Sequence, residues 1–245
     1  MTRRRNRFAK TGREFLRACR RIRVDFNSAD VQFASLDEVM DTLHHLKKDE
    51  NDVFETRLPM MAGMGDQCYP FARNKDIYFD YGIFDSSYPW FDMDALRDLG
   101  LSPIEENVSY DFTEDAVWEM FLLSEITRHL PLFWHAGYME VRYILSAKDL
   151  KDLQGLHCGL IGIDNVQGFH SSKEVRKMEA IKDVSSLLPS VALLSEKEAV
   201  ISLTEWSEWG GLSHRIIRVK RTKKGLRFLK PHIKPIVKYN CGICF

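Results

Sequence analysis

The chain has 245 residues, 44% of them apolar and 29% charged, a balance that excludes a wholly disordered polymer. No stretch approaches the roughly 18 apolar residues of a membrane-crossing helix. Five scattered cysteines, Cys19, Cys68, Cys158, Cys241 and Cys244, do not make a disulfide framework.

The formal net charge of zero is a cancellation between segments. Residues 1–24 hold ten Arg or Lys and one acid, and residues 25–125 hold six basic and 23 acidic side chains. Residues 126–208 are nearly balanced, and residues 209–245 hold ten basic side chains and no acid. Such a partition implies either basic ends that pack on an acidic middle or basic ends that meet an anionic partner. No apolar run follows the basic start, which argues against a secretory signal, and that start lacks the Ser of a transit peptide. The expected location is the cytoplasm.

Residues 1–10 read as a mobile basic arm, with one α+β domain over 11–245; the alternative is two subdomains, 11–130 and 131–245. From Thr11 a helical period sets in, with Phe15, Cys19, Ile22 and Phe26 at steps of four, three and four. Arg13, Arg17, Arg20 and Arg21 cover its other side. Ser35-Leu36-Asp37-Glu38 fits a capping box that opens a second helix. Leu36, Val39, Met40, Leu43 and Leu46 would form its buried face, with Lys47 and Lys48 at its negative end. Residues 51–88 read as irregular and partly extended. A short helix capped by Asp92 and stopped by Gly100 follows.

Residues 113–130 predict the strongest helix, with Glu114 and Asp115 at its positive end and apolar side chains round most of its circumference. Two strands near 132–135 and 139–145 follow, joined around His135-Ala136-Gly137. A short helix over 147–153, a strand over 160–163 and a helix over 172–188 come next. The last 56 residues predict an antiparallel meander with strands near 191–194, 199–209, 213–221, 226–230 and 235–240. The expected fold class is therefore α+β, a helix-rich N-terminal half with a C-terminal antiparallel β-meander. Separation of apolar from charged faces favours a three-residue loop, Gly210-Gly211-Leu212, with Trp209 opposite Ser213. That register groups Ile201, Leu203, Ile217 and Val219 on one face, and it puts Glu205 on the same apolar face.

Three groups of residues are candidate sites. Arg3, Arg4, Arg5, Arg7, Arg13, Arg17, Arg20 and Arg21 suit contact with nucleic acid or another partner, because cations neutralise phosphates; no nucleic-acid-binding motif accompanies them. Residues 76–94 interleave seven aromatics with five acids, among them Asp80, Asp85, Asp92 and Asp94. Paired carboxylates there suit acid–base chemistry or a hard cation. Glu205 joins these acids as a buried-carboxylate candidate. Cys241 and Cys244 form a C-x2-C pair, and His232 is the weak third ligand for a metal. No phosphate loop, nucleophile elbow or zinc-protease signature is present, and no cofactor is expected. The expected function is a non-enzymatic binding or interaction protein that uses charged surfaces. The alternatives are a hydrolytic enzyme using acids of 76–94, with or without a metal, and a nucleic-acid-associated protein using its basic termini.

Overall fold

The structure, a computed structural model, describes residues 2–22, 32–58, 66–76, 97–130, 132–133, 141–155, 168–169, 172–207 and 210–240. The chain is α+β, with antiparallel sheets and a strand-rich C-terminal half. It divides into two compact units. One comprises Glu14–Gly137 with Thr222–Leu226; the other comprises Met1–Arg13, Tyr138–Arg221 and Arg227–Phe245.

Helix α1 spans Thr2–Cys19 and contributes to both units. Residues 2–10, expected as an arm, are its first half. The apolar stripe starts earlier than Phe15: Phe8, Gly12, Phe15 and Cys19 fall at steps of four, three and four, and all four are buried. The helix also stops earlier than expected, at Cys19; Ile22 lies just beyond it and Phe26 lies outside the described residues.

In the N-terminal unit, strand β1 (Phe33–Ser35) leads into a single turn of helix, α2 (Asp37–Met40). The expected capping box does not form. Ser35 is still in the strand, and its hydroxyl accepts the Asp37 amide at 3.0 Å, two residues on rather than three. Glu38 instead pairs with Arg21. Leu36, Val39, Met40, Leu43 and Leu46 are all buried, although the helix covers only part of that run. Lys47 and Lys48 form strand β2, not a helix end. Strands β3 (Asp52–Arg57), β4 (Asp66–Gln67) and β5 (Tyr69–Asn74) occupy the stretch read as irregular. Gly100, at φ 77°, closes the turn before β6 (Leu101–Ser102) and β7 (Val108–Ser109). The main sheet has the order β1-β3-β5-β6, and β2 pairs with β7. The N-terminal half thus carries a four-stranded sheet as well as its helices.

Helix α3 (Glu114–Ser124) is this unit's central element. Thr113 caps it, its hydroxyl accepting the Ala116 amide at 3.2 Å. Every residue from Ala116 to Leu123 is buried, Glu119 included. A helix apolar on all sides has no solvent face, so it lies inside the layer it organises. The two strands expected as a hairpin after it belong to different sheets: β8 (Leu132–Phe133) pairs with β4, and β9 (Val141–Tyr143) pairs with a C-terminal strand.

The C-terminal unit continues with α4 (Ala147–Gly155), β10 (Gly168–Phe169) and α5 (Ser172–Ala180), the last ending eight residues short of the expected Leu188. Strands β11 (Ser190–Leu193), β12 (Glu198–Ser207), β13 (Gly211–Thr222), β14 (Gly225–Phe228), β15 (His232–Val237) and β16 (Tyr239–Asn240) follow. They are not a plain meander. β12 and β13 are the two long central strands; β9 and β11 both line the free side of β12, while β14 and β15 both line the free side of β13. β16 leaves to pair with β10.

The β12–β13 register corrects the expected one. Ile201 faces Ile217, Leu203 faces Arg215 and Ser207 faces Gly211, so the connection is Glu208-Trp209-Gly210. Ile201, Leu203, Ile217 and Val219 still share one face, because the shift moves each partner by an even number of residues. Separation of faces fixes register only to within such a step. The backbone decides the rest: Gly211 has φ 71°, and a Cβ there would lie 2.2 Å from the Val237 carbonyl oxygen. The first residue of β13 must therefore be this glycine.

Candidate functional site

The expected site residues divide by location. Asp80, Asp85, Asp92, Asp94, Cys241 and Cys244 lie outside the described residues, as does the side chain of Arg3. Arg4, Arg7, Arg13, Arg17 and Arg20 are exposed along α1 and its end. Arg5 donates to the Ser185 carbonyl oxygen at 2.6 Å, and Arg13 to that of Leu145 at 2.5 Å. Both anchor the first part of α1 within the C-terminal unit. Arg21 meets Glu38 at 3.4 Å, with both side chains about two-thirds exposed, a pair of small energetic weight.

Glu205 lies on the apolar face of β12, where Arg215 donates to it at 2.9 Å. The two side chains are only 12% and 9% exposed. This is a nearly buried ion pair across the sheet. His232 is exposed on β15, and no group of three metal-ligating side chains occurs among the described residues. Cys19 and Cys68 are buried outside any disulfide, and burial pushes the Cys19 thiol up to about 12, so it is a poor nucleophile at neutral pH.

Two polar clusters escaped the sequence reading. In the N-terminal unit, Glu119 accepts the His45 amide at 2.6 Å with one oxygen and bonds His45 Nδ1 at 2.8 Å with the other. Glu119 is 2% exposed and His45 about half exposed. The signal was in the sequence: Glu119 is the lone charge in an otherwise apolar run from Ala116 to Leu123. The same unit has an open pocket of about 650 Å³ lined by Lys47 to Asp52 and Glu106 to Ser109. Its charges are mixed in sign.

The second cluster lies on the even-numbered face of the C-terminal sheet. Cross-strand partners share a face, so the registers define its rows. At one end Trp206, Leu212 and Val237 pack with Leu150 and Leu153 of α4 and Met178 of α5 in one apolar cluster. The next row is Thr204–His214–Lys234, then Ser190–Ser202–Ile216–His232, then Ala192–Val200–Arg218. None of these three rows contains an acid. Beyond them Glu198 meets Lys220 at 3.4 Å. The helical cover therefore gives way to a shelf of hydroxyls, imidazoles and cations. Within it, His214 Nε2 lies 3.0 Å from Ser202 Oγ, and Nδ1 lies 3.4 Å from Thr204 Oγ1. Burial, then the nearby Arg5 and Lys234 cations, hold the His214 pKa below its usual value. The ring is accordingly neutral at pH 7. A neutral ring with its proton on Nδ1 donates to Thr204 and accepts from the Ser202 hydroxyl.

No helix among the described residues is long and apolar enough to cross a membrane. Comparison of the chain with family models, with curated proteins and with solved structures finds no match in any of the three.

Proposed function

We propose that the protein is a non-enzymatic binding protein that takes an anionic partner on the basic surface of its C-terminal unit. One observation carries this reading: strands β13 to β15 expose Arg218, Arg227 and Lys234, and no acid occurs anywhere from residue 209 onward. A surface of one sign attracts the opposite sign and speeds its capture. Nucleic acid is the partner whose chemistry fits best, since repeated phosphates match repeated cations. The buried thiols of Cys19 and Cys68, outside any disulfide, support a reducing, cytoplasmic setting.

The test is electrophoretic retardation of mixed DNA and RNA across a salt series. The test keeps residues 1–24, because Phe8, Phe15 and Cys19 are core. Reversing charge at Arg218→Glu with Arg227→Glu leaves the core alone. The expected result is retardation that weakens steeply with salt and falls at least about tenfold in the double variant. Absent retardation at low salt, or retardation indifferent to the reversal, would overturn the reading.

A further inference from the structure

The shelf holds a more specific arrangement than general positive charge. Lys234 of β15 stands opposite His214 in the same row, and Arg5 of α1, held by the Ser185 carbonyl oxygen, adds its positive field to that of Lys234 at the ring. Ser202 and Thr204 come from β12 and bracket the same ring through its two nitrogens. Two fixed cations, a third group that can become one, and a hydroxyl beside it match the charge and hydrogen-bonding needs of a dianion. We propose that this part of the shelf is a binding site for a phosphate monoester, held by Arg5, Lys234 and His214 in its protonated form, with Ser202 donating to a phosphate oxygen.

The coupling follows from the hydrogen bonds. When the neutral ring carries its proton on Nδ1, the Ser202 hydroxyl donates to Nε2. A dianion placed among Arg5, Lys234 and His214 offsets the two cations that keep the ring neutral, so the ring takes up a proton. Nε2 then donates, Ser202 Oγ accepts, and the serine hydrogen is released toward the phosphate. Binding and proton uptake are one event, and the ring's midpoint must rise when the site fills. Asp183 faces Arg5 from the loop after α5, and its carboxylate is held well ionised mainly by the Ser185 hydroxyl and amide. It moderates the Arg5 charge without cancelling it, since the Ser185 groups are its main partners.

This site rests on the reading that the C-terminal unit binds anions, and it narrows that reading to one phosphate class. The experiment follows the His214 ring by NMR across pH, with and without inorganic phosphate, and with sulfate as a dianion that does not itself titrate in the range. The expected result is an upward shift of the His214 midpoint by about one unit or more, which corresponds to about tenfold tighter binding to the protonated form. The exposed substitution Lys234→Met should shrink that shift. His214→Gln should keep the Ser202 contact but make binding insensitive to pH. A second arm compares an oligonucleotide carrying a terminal phosphate with the same oligonucleotide lacking one. The phosphorylated strand is expected to bind at least about fivefold tighter, a preference lost in Lys234→Met.

An unmoved His214 midpoint in both anions overturns the site, even if nucleic acid is still retarded. A moved midpoint without any retardation keeps the site and removes the nucleic-acid reading. Equal binding of the two oligonucleotides with a moved midpoint restricts the site to small phosphate monoesters.

Discussion

Helix α3 and the central strands β12 and β13 solve the same problem in different ways: each holds a carboxylate away from water. Glu119 sits in a helix buried on all sides, and its partner His45 stands in a loop that solvent reaches. Glu205 sits on a sheet, and its partner Arg215 is as buried as itself. In the first pair the desolvation cost falls on one member, and the loop amide of His45 shares in meeting it. In the second both ions are desolvated, and their attraction must offset the two penalties together. The helix needs its acid for docking one loop.

The largest effect expected anywhere in the sheet is at its turn. Gly211→Ala would put a methyl 2.2 Å from the Val237 oxygen and 2.8 Å from the Tyr239 nitrogen, at a φ of 71°. Both obstacles are backbone, so no side chain can swing aside. The variant should lose more than about 3 kcal/mol in urea unfolding, or fail to fold. An unfolding midpoint close to that of the parent would mean that the β13–β15 approach is looser than it stands. No residue of α3 is under such a constraint.

The two carboxylates should then separate cleanly in mutation. Arg215→Ala removes the guanidinium from the nearly buried Glu205, at a cost of about 3 kcal/mol. Arg215→Met with Glu205→Leu should recover nearly all of it, since a packed apolar pair often equals a buried ionic one. Glu119→Leu should cost only about 1 kcal/mol, because leucine suits the apolar helix and water can reach His45. Equal losses for Arg215→Ala and Glu119→Leu in urea melts would erase the distinction between the pairs.

The contrast also explains what could be read in advance. The body of helix α3 was legible because its signals are local, acids at the start and apolar residues all round, but the helix stops at Ser124 and not near residue 130. The faces of β12 and β13 were legible for the same reason, since alternation is local too. Their register was not. Leu203 opposite Arg215 looks like a mismatch until Glu205 is seen to reach Arg215 diagonally, a relation between residues ten apart that no alternation rule contains. The His214 cluster depends wholly on that register, as Thr204, His214 and Lys234 meet only once three strands are aligned. The early part of α1 was missed for a different reason. Its arginines suggested an arm, but Phe8 and Gly12 already carried the buried stripe.

The smallest effect expected is at Glu105, a half-buried acid in the N-terminal unit, where substitution should stabilise. Burial, reinforced by the Glu106 charge, pushes the Glu105 carboxyl above its usual range, although a backbone hydrogen bond pulls the other way. No cation is among the influences on it, unlike Glu205 with Arg215. A carboxyl whose pKa is higher folded than unfolded stabilises the fold while protonated and loses that contribution as pH rises through the folded value. Glu105→Gln keeps the neutral shape at every pH. It should therefore match the parent in thermal melts near pH 4 and exceed it at pH 7, by less than about 1 kcal/mol. A variant less stable than the parent at pH 7 would show that the ionised carboxylate is wanted where it stands. Glu105 would then belong with Glu119 and Glu205 as an acid whose charge the fold uses.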